Sequence, residues 1–199
     1  MTKFNRWNNG FTLVELLIVI SIIGTLSMMG IGSYANTLKR SRDSKRVSDM
    51  KDIRVALETY KLDHGDLPNE TYPEGNIAGW EVSLHPNFME YLKPYIHKTI
   101  EDPLNIVAAS FSSFFKPRPK DSSFFYVYHY YNGGNTGRNY GCDFDGPFAV
   151  FGFRAAEILP SSNFPKARCG PMPCGDKGGT PNVCRDWSTE YDYSVIIRP

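Results

Sequence analysis

The sequence predicts an α+β fold in which one long N-terminal helix packs on a small antiparallel sheet. Three observations carry this expectation. Residues 11–32 form an apolar run long enough to cross a membrane. A helical stripe follows, Val47, Met50, Ile53, Leu57 and Tyr60, at spacings of 3, 3, 4 and 3. Beyond residue 120, three segments rich in aromatic and β-branched residues read as strands.

The apolar run comes first in the argument. From Phe11 to Gly32 it holds one ionisable side chain, Glu15, in 22 residues. As a helix it would be about 33 Å long, enough for a bilayer core. A carboxylate costs about 2.5–3.5 kcal/mol at mid-membrane and less near an end. Glu15 lies near the start of the run, so the cost is modest, but the acid asks for a partner and the run offers none. Other readings stand beside a functional one. A secretory signal peptide is too short for this run, would not carry an acid, and no A-x-A site follows. An ordinary anchor with a Glu at its edge, a buried helix of a globular protein and a misplaced start site complete the set.

Gly10 followed by Phe11-Thr12-Leu13-Val14-Glu15-Leu16 resembles the class III signal of type IV pilins and type II secretion pseudopilins. The resemblance implies that a prepilin peptidase cuts between Gly10 and Phe11 and methylates the new terminus. Glu15 would then meet the terminal amine of a neighbouring subunit's Phe11. A paired charge in hydrocarbon is tolerated where a lone one is not, so the pair would set the register of subunit addition. The fold implied is pilin-like, with residues 1–10 as leader, 11–32 as transmembrane and assembly helix, 33–65 as its amphipathic continuation, and 66–199 as an extracellular head.

Composition narrows the partners. The formal charge is +1, and loss of Lys3 and Arg6 with the leader would take it to −1. Such a balance gives no support to nucleic-acid binding. Cys142, Cys169, Cys174 and Cys184 cluster among Gly and Pro and read as disulfides in an oxidising space. Three connectivities are open; the reading favours Cys169–Cys174 with Cys142–Cys184. A zinc site is the rival, but the cysteine spacings lack a close His partner.

Along the chain, Asn8-Asn9 depart from the basic residue that many family members carry beside the cleavage glycine. Gly24, Gly30 and Gly32 permit close helix approach or local unwinding. Related pilins often place a proline near Gly32; here a break would have to come from Gly30 and Gly32. Lys39, Arg40, Arg42, Lys45 and Arg46 outnumber the leader's cations, so the positive-inside bias would put the head in the cytoplasm. The cysteines and the pilin-like signal oppose that, and they prevail in this reading. Lys39–Arg46, polar on every side, is expected to be solvated or to lie between subunits. Asp49, Lys51, Asp52, Arg54 and Lys61 are placed opposite the apolar stripe.

Gly65 should stop the helix and Pro68 prevent its resumption. The block Ala56–Pro68 resembles the end of the long helix in major pseudopilins and the pilins closest to them, with His64 a C-terminal helix residue rather than a ligand. A short helix is expected at Asn87–Lys93 and a turn at Glu101-Asp102-Pro103-Leu104-Asn105. An exposed loop is expected at Phe111–Lys120. The strands are Phe124–Tyr131, Phe148–Arg154 and Tyr191–Arg198, with Asn132-Gly133-Gly134 a hairpin-type turn and Pro160–Trp187 a stapled loop.

Asp143 and Asp145, in Asp-Phe-Asp-Gly, are weak calcium candidates, since some pseudopilins bind calcium near their C-terminal end. EF-hand spacing and its closing Glu are absent, so an acidic turn is the plainer reading. His129 lies in an aromatic strand without a Ser or Cys motif. No phosphate loop, G-x-S-x-G or H-E-x-x-H occurs, so neither an enzyme nor a cofactor is expected.

The resemblance implies a pilus filament subunit that assembles with itself, served by a prepilin peptidase, a platform membrane protein and an ATPase. It would reside first in the cytoplasmic membrane and then in an extracellular filament. The alternatives are a type II secretion pseudopilin and a membrane-anchored extracellular binding domain that never polymerises. Motility, adhesion, DNA uptake and secretion remain open as roles for the filament.

Overall fold

A computed structural model describes residues 11–69, 76–77, 80–109, 122–132, 137–140, 142–167 and 187–199. The chain divides into two compact units at the Lys39/Arg40 boundary. Helix α1, Leu13–His64, contributes residues to both.

In the unit from Arg40 onward, five strands pair antiparallel in sequence order: β1 (Asn76–Ile77), β2 (Trp80–Val82), β3 (Tyr126–Tyr131), β4 (Phe148–Phe153) and β5 (Tyr193–Ile197). The β3–β4 register runs from Tyr126 opposite Phe153 to Tyr131 opposite Phe148. Alternation along these strands sends side chains to two faces. On one face Tyr126, Tyr128, Tyr130, Ala149, Phe151 and Phe153 meet Met50, Ile53, Ala56 and Leu57 of α1. On the other, Phe125, Val127, Tyr131, Phe148 and Val150 pack with Trp80, Trp187 and Tyr191. Both faces are therefore buried, which is why these strands lack polar alternation.

The apolar stripe sits where its spacing placed it. Met50, Ile53 and Leu57 are fully buried, and Val47 and Tyr60 pack on the same core. Gly65 ends the helix in the left-handed region, with φ 82° and its N–H donating to Lys61 O at 2.8 Å. Pro68 follows as expected, and its carbonyl accepts from the Tyr128 hydroxyl.

Several expectations need correction. The helix expected over Asn87–Lys93 is a single 3-10 turn, Glu90–Leu92, entered through Met89 at φ 51°. A left-handed residue at that point interrupts any α-helix begun at Asn87. Strands β1 and β2 went unread because they are two and three residues long. Beyond the expected turn Asn132-Gly133-Gly134, Tyr131 pairs with Phe148, so the β3–β4 connection runs from 132 to 147 and includes a 3-10 turn at Gly137–Tyr140. Gly133 and Gly134 themselves, the loop Phe111–Lys120, and residues 168–186 of the expected stapled loop lie outside the described residues.

Candidate assembly helix and ion network

The first unit presents the apolar run as helix. Leu13, Val14, Leu16, Leu17, Ile18, Ile20, Ile22, Ile23 and Leu26 are all more than half exposed. An 18-residue window within α1 reaches a mean hydropathy of 2.2, enough in length and composition to cross a membrane. Water disfavours such a surface, so lipid or other helices must cover it. Helix α1 is continuous through Gly24, Gly30 and Gly32.

Its start is built by two side chains. The Thr12 backbone N–H and Thr12 hydroxyl both donate to Glu15 Oε2 at 2.9 Å, and the Glu15 N–H donates to Thr12 Oγ1 at 3.2 Å. This reciprocal arrangement is a capping box, which satisfies amides that the first helical turn leaves open. The pattern Thr-x-x-Glu ahead of an apolar run was present in the sequence and went unread. Phe11 stands 82 % exposed just before the cap; Gly10, on the other side of the expected cleavage point, lies outside the described residues.

Within the basic stretch Lys39, Arg40 and Lys45 are exposed as expected, but Asp43 and Arg46 are not. Arg46 is 0 % exposed. Its guanidinium grips Asp102 through Nε (2.6 Å) and Nη2 (2.9 Å), while Nη1 reaches Asp43 (2.7 Å) and Glu157 (3.3 Å). Arg42 forks onto the same Glu157 at 2.6 and 2.7 Å. Asp43 also accepts the N–H groups of Glu157, Ile158 and Leu159 at 2.9, 3.0 and 3.0 Å. Burial opposes ionisation of Asp43, yet these N–H bonds and Arg46 outweigh it and hold the carboxyl below its ordinary range. Glu157 is likewise lowered, burial being overcome by Arg42 and Arg46.

Asp49 belongs to this interior too, and not to the outward face where it was placed. It is 1 % exposed and accepts from Lys45 (2.8 Å), Lys98 (2.7 Å) and the Tyr126 hydroxyl (2.7 Å). Lys98 also reaches Asp52. The expected turn at Asp102 is real, and its purpose is visible: Asp102 Oδ1 caps the N–H of Leu104 at 2.9 Å while the carboxylate holds Arg46.

Other singled-out residues fall as follows. His64 stacks on Tyr60 at 4.0 Å and its Nδ1 lies 3.0 Å from Tyr60 O, a local helix-end contact. His129 stacks on Trp80 at 5.2 Å. Cys142 is 9 % exposed, while Cys169, Cys174 and Cys184 lie outside the described residues. Asp145 accepts the Gly146 N–H in a turn, and among the described residues no group of three metal-ligating side chains gathers at Asp143 or elsewhere.

Comparison with known proteins bears on the first unit and, for the relatives, extends beyond it. The prokaryotic N-terminal methylation motif matches residues 8–31. The chain is 36 % identical over 89 residues to the type IV major pilin protein PilA of Myxococcus xanthus, covering 42 % of this chain and 40 % of that protein. It is 46 % identical over 74 residues to the type IV major fimbrial protein FimA of Dichelobacter nodosus, covering 37 % and 42 %. It is 31 % identical over 96 residues to prepilin peptidase-dependent protein D of Escherichia coli, covering 48 % and 66 %. The chain thus spans under two thirds of each relative's length. No solved structure matches it.

Proposed function

We propose that this chain, which carries the class III prepilin signal of the type IV pilin and pseudopilin family, is a structural subunit of a type IV pilus-like filament and not an enzyme. The observation that carries the reading is a methylation motif over residues 8–31 laid on an apolar, exposed helix with one acid, Glu15.

A prepilin peptidase cleaves after Gly10 and methylates Phe11. The helix from Phe11 to Gly32 rests in the cytoplasmic membrane and is then drawn into a bundle of identical helices. Glu15, held by Thr12 at the start of the helix, faces the Phe11 amine of a neighbour. That pairing relieves the cost of an acid in hydrocarbon and fixes the subunit's register. Gly24, Gly30 and Gly32 give the helix room to bend or approach closely. A platform protein and an ATPase drive addition, and the head lies outside the cell. Cys142, Cys169, Cys174 and Cys184 form disulfides there, suited to an oxidising space.

A second reading, a type II secretion pseudopilin, is favoured by the likeness to prepilin peptidase-dependent protein D, 66 % of whose length is covered. The third, a membrane-anchored binding domain that never polymerises, would leave Glu15 only its cap with Thr12 and give its charge no partner.

The experiment is mass spectrometry of surface material sheared from producing cells. An abundant peptide beginning with N-methylated Phe11 supports a processed pilin. The same terminus confined to membranes favours the pseudopilin. An intact leader, or cleavage elsewhere, sinks the reading.

A further inference from the structure

The unit from Arg40 onward contains an open cleft of about 730 Å³ within the β2–β3 connection, lined by residues on either side of the 3-10 turn at Glu90–Leu92. Its floor is apolar, made by the buried side chains of Phe88, Met89 and Ile96. Along its wall runs the segment from His97 to Glu101. Among the described residues, the backbone N–H groups of His97, Lys98, Thr99, Ile100 and Glu101 meet no acceptor. His97 also brings an imidazole to this wall. His85 Nδ1 accepts the Asn87 N–H at 3.4 Å, so in the neutral ring Nε2 carries the proton and is a donor. The lysines at the rim are already engaged, Lys93 by Glu90 and Lys98 by Asp49 and Asp52. Attraction within the cleft therefore rests on neutral N–H groups above an apolar floor, not on free positive charge.

The backbone around this cleft is held under strain. Among the described residues three non-glycine residues have positive φ, and two of them line it: Met89 at 51° and Asn105 at 47°. A left-handed methionine is disfavoured and persists only where its surroundings impose it. They do so here. The Met89 N–H donates to Glu81 Oε2, and the Asn105 side chain both accepts from the Ser83 hydroxyl (2.7 Å) and donates to Ser83 O (2.8 Å). Strain of this kind collects at binding sites because it preorganises them.

We propose that the cleft formed by Phe88, Met89 and Ile96 beneath the donor run His97–Glu101 binds a small carboxylate carried on an apolar body. The carboxylate accepts from the open N–H groups and from His85 and His97, and the body covers the floor. The site is separate from the assembly helix, so it stands whether or not the chain forms filaments.

The test is a titration of the full-length chain in detergent micelles with benzoate, followed by amide and histidine-ring NMR signals. The expected result is saturable movement of the His97–Glu101 amides and of both ring signals. Affinity should fall about tenfold when His85→Phe and His97→Phe are combined, as for loss of two hydrogen bonds. The ring signals of the unaltered chain give a readout that no misfolded variant can obscure. Benzamide binding as tightly as benzoate overturns the carboxylate's role. Inorganic phosphate binding as tightly overturns the role of the floor, and movement that never saturates overturns the site.

Discussion

The Tyr126 hydroxyl on β3 donates to the Asp49 carboxylate on α1 at 2.7 Å, a contact between residues 77 positions apart with both side chains buried. Two residues along the same strand, the Tyr128 hydroxyl reaches Pro68 O at 2.7 Å, and two further, the Tyr130 hydroxyl reaches Asp66 at 2.8 and 2.9 Å. One face of β3 thus fastens the helix and its exit through three successive phenols. Each ring fills the core while its oxygen finds an acceptor at the rim. Burial, with Asp66 beside it, pushes the Tyr130 hydroxyl up to about 12, so these phenols stay protonated donors at physiological pH.

Replacing Tyr126 by Phe keeps the ring and removes the donor. Asp49 retains Lys45 and Lys98, so the loss should be that of one hydrogen bond to a charged group, about 1.5–3 kcal/mol. Denaturant unfolding of the variant, followed by near-ultraviolet dichroism, measures it. An unchanged midpoint would show that the contact adds nothing.

Arg46 is the heavier case. Removing it as Arg46→Ala strands Asp43 and Asp102 in the interior, at about 3–5 kcal/mol. Arg46→Lys should rescue little, because a single ammonium cannot fork onto Asp102 while reaching Asp43. Thermal melts of both variants beside the parent check the ordering, and a lysine variant as stable as the parent would refute the geometric argument.

The pH dependence follows from the same cluster. Asp43, Asp49 and Glu157 have carboxyls below their ordinary values of 3.8, 3.8 and 4.5; burial opposes this and the hydrogen-bond donors prevail. A lowered folded-state value means that the unfolded chain takes up protons first. The stability these groups contribute is therefore complete above the ordinary values and is lost as pH falls through them toward the lower, folded ones. The melting temperature of the head should be flat from about pH 8 to 5 and drop steeply below about 4. Asp43→Asn should flatten that acid limb as it lowers the plateau.

Strand β4 passes so close to β5 that a Cβ built on Gly152 would lie 2.0 Å from Tyr193 O. The obstacle is backbone, which cannot swing aside as a side chain can. Gly152→Ala should therefore cost about 3 kcal/mol or more, chiefly by parting the two strands. Faster exchange of the β5 amides beside a preserved α1 signal would locate the damage.

Much of this was readable from residue spacing, and the exceptions share a cause. The stripe from Val47 to Tyr60 and the stop at Gly65 announce themselves within one turn of helix. Strands β3, β4 and β5 announce themselves by composition. The burial of Arg46 could not, because its partners Asp102 and Glu157 lie 56 and 111 residues away, and a charge enters a core only when both ends arrive. Trp80-Glu81-Val82 is too short to show a period, and its strand identity comes from β3 alongside it. The Thr12–Glu15 cap is legible too, because its two side chains stand three residues apart in the sequence.

That cap bears on assembly, since Glu15 has two tasks that one substitution can separate. In the single chain its carboxylate accepts from Thr12 N–H and Oγ1–H; in the proposed filament it also balances a neighbour's terminal amine. Glu15→Gln keeps an acceptor oxygen for the cap and removes the charge. Glu15→Ala removes both. Thr12→Val removes the hydroxyl and spares the charge, at about 1 kcal/mol of helix-start stability. If charge pairing governs subunit addition, Gln and Ala should abolish filaments alike, while Val lowers their yield only in part. The measurement is processed subunit in the sheared surface fraction, normalised to processed subunit in the membrane. Filaments at parental yield from Glu15→Gln would leave the cap as the acid's whole contribution, and the pairing mechanism would fall.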